Sequence, residues 1–98
     1  MKIPSKINIG GIIYDVQLIQ GKEHSDLHER NYIGSINHEK CLIMLEKDMN
    51  EQMVLESLLH EITHGIEYSN QLKLSEKTVF RIARGFYQVL KTNNLLKD

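Results

Sequence analysis

The stretch from Leu55 to Ile66 constrains the fold of this chain more than any other. Its apolar residues recur at helical spacing, and it contains His60-Glu61-Ile62-Thr63-His64, an H-E-x-x-H motif. Residues four apart on a helix lie one turn apart on the same face, so both imidazoles can bind one metal ion. The glutamate beside the first histidine then stands where it can take a proton from a water on that ion. This pattern points to a zinc-dependent hydrolase, most often a peptidase. Between Ser57 and Ile66 the only acid is Glu61. A buried charge without a partner would be costly on such a helix, whereas one facing a metal site has a use.

Composition sets the outer limits. Ninety-eight residues, 41% of them hydrophobic, suit a single domain over 1–98 with one modest core. No segment approaches the length of a membrane span. A net charge of -1 with no basic run gives no electrostatic footprint for nucleic acid. Cys41 is the only cysteine, which excludes an intramolecular disulfide and a thiolate zinc cluster. Met1-Lys2-Ile3-Pro4-Ser5 lacks the apolar core of a signal peptide, so a soluble, cytoplasmic protein is expected.

The front half reads as strands. Ile7 and Ile9 alternate with polar neighbours, and alternation resumes from Ile12 to Ile19 after Gly10-Gly11, a hairpin signal. Gln20 to Asn31 reads as a polar loop; its His24, Asp26, His28 and Glu29 are weak metal-ligand candidates, since polar loops often carry such residues. Tyr32 to Ile36 and Cys41 to Leu45 read as a second pair of strands around Asn37-His38-Glu39-Lys40, with His38 solvated at the turn. The second of these is apolar throughout, which implies packing on both faces and makes Cys41 a small core residue.

The back half reads as two helices. Asp48-Met49-Asn50-Glu51 has capping-box spacing and opens a helix to about Ser69, with Leu55, Leu58 or Leu59, Ile62 and Ile66 as its apolar stripe. Ser75 caps a second helix through about Thr92, with Val79, Ile82, Ala83, Phe86 and Leu90 as its inner stripe. The short connector makes the helices antiparallel neighbours. The expected class is therefore α+β: a small antiparallel or mixed sheet of about four strands on two C-terminal helices.

A catalytic zinc site usually needs a third protein ligand besides two histidines. Glu67 shares the face of His64 but lies about 10 Å along the axis from His60, an awkward reach. Glu76 opens the second helix, where chain reversal can return it to the histidines; a carboxylate there also suits the helix N-terminus. Geometry leaves both open.

Leu58-Leu59-His60-Glu61-Ile62-Thr63-His64-Gly65-Ile66, followed by Leu74-Ser75-Glu76 and an amphipathic helix, resembles the small zincin-like metallopeptidases, especially the phage and prophage type and the ImmA/IrrE-like group. The Gly-Gly hairpin and the Tyr32-Ile33-Gly34-Ser35-Ile36 strand leading into an apolar strand are similar too. The resemblance implies a minimal zincin-like fold holding Zn2+ on His60, His64 and Glu76, with Glu61 as the general base. It also implies an edge strand above the active-site helix that pairs with an extended peptide or protein substrate; by position this is Cys41, Leu42, Ile43, Met44 and Leu45. Tyr87, Arg81 and Arg84 are open candidates for stabilising the oxyanion. Two other readings stand beside the peptidase: a catalytically inactive zincin-fold binding module with structural zinc, and a metal-free interaction domain.

Overall fold

The computed structural model describes residues 2–20 and 34–96. The loop candidates His24, Asp26, His28 and Glu29, and Tyr32 and Ile33 of the third expected strand, lie outside the described residues. The architecture is α+β: strands β1 (Lys6–Ile9), β2 (Ile12–Ile19), β3 (Gly34–Asn37) and β4 (Leu42–Glu46), then helices α1 (Glu51–Ser69) and α2 (Glu76–Thr92).

Gly10 and Gly11 make the first turn because both take positive φ, +61° and +89°, where side-chain-bearing residues are strained. The hairpin pairs Ile9 with Ile12 and Lys6 with Asp15. Sheet order is β1-β2-β4-β3, with β4 parallel to β2 and antiparallel to β3. This order corrects one expectation. The apolar strand is not an edge: both sides of β4 are hydrogen-bonded, and Ile43 and Leu45 are fully buried. Among the described residues the edge beside it is β3. The strand also starts one residue late, because Cys41 sits at φ +52° in the preceding turn.

One face of the sheet packs on α1, joining Ile9, Tyr14, Val16, Ile43 and Leu45 to Val54 and Leu58 in a single core. The cap of α1 is Asn50, whose side chain accepts from the Met53 N–H at 2.9 Å, rather than Asp48. Met49, just before the cap, packs on the core that holds Val54, a hydrophobic staple that sets where the helix begins. Near the other end Gly65 meets the sheet: a Cβ there would stand 2.7 Å from Ile9 Cδ1. Ile66, expected inside, is instead 46% exposed.

Ser75 caps α2 by accepting from the Thr78 N–H at 3.1 Å. The helix packs chiefly against α1, so it buries the narrow line Val79–Ala83–Tyr87. Ile82 and Phe86, expected inside, face outward, and Phe86 is 58% exposed. A helix lying on one other helix covers a narrower arc than a helix lying on a sheet.

Candidate metal centre

Three residues on two helices meet at one point. His60 and His64 project from α1 one turn apart, their rings 4.9 Å between centroids. The first residue of α2 comes back across the six-residue connector to face them. Glu76 Oε1 lies 2.5 Å from His60 Nε2, and its Oε2 lies 3.0 Å from His64 Nε2. One donor atom from each residue falls within 4.8 Å of the others, so the group His60, His64 and Glu76 could hold a metal ion.

Glu67 occupies a different place. Its Oε1 is 3.0 Å from His64 Nδ1, and its Oε2 accepts from the Leu74 N–H at 2.7 Å. The Leu74 amide first, and His64 second, hold this carboxyl below the usual carboxylate range. With Nδ1–H donated to Glu67, His64 presents a bare Nε2 lone pair to the cluster. That lone pair then faces a carboxylate oxygen at hydrogen-bond distance, and two acceptors repel unless a proton or a cation lies between them. The donor set therefore fits a cation, and the carboxylate behind His64 is the usual orienting partner of a metal-bound imidazole.

Glu61 lies beside this cluster, against β3 at the floor of the same cleft, and is only 6% exposed. Burial, first of all, pushes its pKa up to about 7; nearby His64 opposes that rise and Glu76 adds to it. The space it needs is given by Gly34 on β3, where a Cβ would stand 3.3 Å from Glu61 Oε2 and 3.2 Å from the Met44 carbonyl oxygen. A glycine inside a strand pattern signals such a close approach, so Gly34 was detectable in the sequence.

His38, expected to be solvated, is half-buried. Its ring stacks on Tyr68 at 4.0 Å, and its Nδ1 lies 3.0 Å from the hydroxyl of buried Tyr14. Burial leads in lowering its pKa; His64 adds to that and Glu67 opposes it. No local sequence signal marks it, because Tyr14 and Tyr68 arrive from distant parts of the chain.

A cleft of about 760 Å³ opens over these groups. Gly34, Ser35 and Ile36 of β3 form one wall, His60, Glu61 and His64 the floor, and Lys77, Phe80 and Arg84 of α2 the other wall. Of the three oxyanion candidates, only Arg84 lines the cleft; Tyr87 is buried in the helix contact and Arg81 does not line it. Cys41 to Leu45 lie outside the cleft lining, behind β3. Among the described residues no helix is long and apolar enough to cross a membrane.

The fold and site define an α+β protein with a His-His-Glu cluster able to take a metal ion at the floor of an open cleft. No family model matches the chain, and no curated protein or solved structure does so either.

Proposed function

We propose that this chain is a small zinc-dependent peptidase. The observation that carries the reading is the convergence of His60 Nε2 and His64 Nε2 on the two oxygens of Glu76, with a buried glutamate next to the first histidine. Two imidazoles and one carboxylate, with room for a water, form a catalytic rather than a structural zinc set. Zinc in that set supplies Lewis acidity and activates water near neutral pH.

The chain's own residues do the rest. Glu61, buried beside the cluster and lining the same cleft, is placed to take the proton of the attacking water and hand it to the leaving amine. Glu67 holds His64 in one tautomer and ring orientation. Among the described residues β3 is a sheet edge, able to pair with an extended peptide backbone and leave alternate side chains to the cleft. The wall that a second subdomain provides in larger enzymes falls to α2 here.

Elemental mass spectrometry on the parent, His64→Ala and Glu76→Ala, beside a peptide-hydrolysis assay of Glu61→Gln, tests this reading. One zinc per parent chain, lost in the first variant and weakened in the second, is expected. Glu61→Gln is expected to keep its zinc and lose turnover. A parent that takes up no zinc when supplied with it sinks the proposal. If Glu61→Gln retains the partner binding and biological effect of the parent, the chain is a binding module instead.

A further inference from the structure

The α2 wall of the cleft has a composition that the zinc chemistry does not use. From Glu76 toward the C-terminus it presents Phe80, which is 52% exposed, then Arg84, with Lys77 on the same side of the helix. Positions 77, 80 and 84 share one helical face. Among the described residues neither Lys77 nor Arg84 has a carboxylate within 4.0 Å, and both are exposed. Across the cleft, α1 contributes Met53 and Glu56, in addition to the buried Glu61 of the floor. The charge of the cleft outside the metal cluster is thus divided, basic on the α2 wall and acidic on the α1 side. An exposed aromatic ring beside two unpartnered cations is a surface set up to receive an apolar group next to an anionic one.

Resting on the peptidase reading, we infer that the cleft selects extended peptide segments with an apolar residue near the bond at the cluster, flanked along the α2 wall by acidic residues. Spacing supports this order. Phe80 and Arg84 lie about 6 Å and about 12 Å along the axis from Glu76, at 1.5 Å per residue. An extended peptide laid along α2 covers those distances in roughly two and four residues. The apolar side chain meets Phe80 and Ala83, and the acidic ones meet Lys77 on the cluster side of Phe80 and Arg84 beyond it.

Binding to full-length Glu61→Gln, loaded with zinc and also in chelator, tests the inference without relying on turnover. The probes are fluorescein-labelled alanine–serine decapeptides with a central leucine and glutamates two to four residues to either side, and the same peptides with lysines for glutamates. At low salt the acidic probe is expected to bind about tenfold tighter, as suits two rim-exposed pairs that attract in one case and repel in the other. Adding Lys77→Glu with Arg84→Glu should reverse the preference, and Lys77→Gln with Arg84→Gln should erase it; circular dichroism confirms that both keep their helices. Equal affinity for the two probes, a preference indifferent to these substitutions, or no binding by either overturns the inference. Hydrolysis of the same peptides by the parent is scored separately. Charge preference without hydrolysis retains the acidic-peptide groove and removes the peptidase; hydrolysis without charge preference does the opposite.

Discussion

Glu67 stands 3.0 Å from Nδ1 of His64, on the side of the ring away from Glu76, and its other oxygen holds the backbone N–H of Leu74. One side chain therefore orients an imidazole of the candidate metal cluster and ties down the connector that delivers Glu76. The two jobs are coupled: loosening Glu67 frees the ring and the return path of Glu76 together.

Replacing Glu67 by alanine is accordingly expected to weaken zinc affinity by about 10- to 100-fold, the usual effect of losing an orienting partner. Glu67→Gln, which keeps an oxygen for the ring N–H, should lose less. Competition with a chromophoric chelator measures both. Affinities equal to the parent's would show that the ring is held by other contacts.

Glu61 gives the metal-free chain a distinctive pH dependence. Its folded pKa, about 7, is above the ordinary value of 4.5, so the fold favours the protonated form. The associated stability is fully present below pH 4.5 and is lost as pH rises from there through 7, amounting to roughly 3 kcal/mol at 1.36 kcal/mol per unit. Urea unfolding in chelator, parent against Glu61→Gln, should show the difference growing over that window, with the glutamine variant more stable at pH 8. Parallel curves from pH 4 to 8 would mean that the carboxyl is not desolvated.

Gly34 should prove more important to turnover than to metal content. A methyl group there meets the Met44 carbonyl oxygen at 3.2 Å, Leu45 Cδ2 at 3.1 Å and Glu61 Oε2 at 3.3 Å. The strand backbone cannot readily yield, so Leu45 and the Glu61 carboxylate give way by a few tenths of an ångström. Shifts of about 1 Å at a reacting group can cost on the order of 100-fold in rate, and smaller ones correspondingly less. Gly34→Ala is expected to retain zinc by mass spectrometry while losing up to about tenfold in kcat. Unchanged kcat would place Glu61 outside the chemistry.

The Gly-Gly turn offers a stability test far from the site. Gly10 combines φ +61° with a Cβ position that overlaps the Ser69 side chain, whereas Gly11 at φ +89° faces open space. Both substitutions by alanine strain the backbone, but only Gly10→Ala also displaces the end of α1. It should cost about 1–3 kcal/mol and clearly exceed Gly11→Ala, a difference visible as a Tm gap of about 4–8 °C per kcal/mol. Equal melting points would show that Ser69 moves aside freely.

Much of this arrangement is written in local pattern. The glycine pair marks the first turn, alternation marks β2, and Ser75 caps α2 through a bond three residues away. Each is decided by the conformational preferences of a few adjacent residues, which the tertiary structure had no reason to override. The cap of α1 shows the limit. Asp48 and Asn50 are both competent N-caps, and the choice fell to Asn50 because Met49 had a core to pack against.

The sequence by itself determined the two helices, the β-hairpin and the placing of two imidazoles and a carboxyl on neighbouring turns of α1, since spacing of 3.6 residues per turn is an intrachain property. Only the tertiary structure decided that β4 is an inner strand with β3 outside it, that Glu76 meets both Nε2 atoms while Glu67 serves Nδ1, and that His38 lies between Tyr14 and Tyr68. It also turned Ile82 and Phe86 outward. These outcomes depend on strand order, on where the connector returns, and on how wide an arc each helix can bury. All three are set by contacts between residues far apart in the chain, whose free energies no local pattern records.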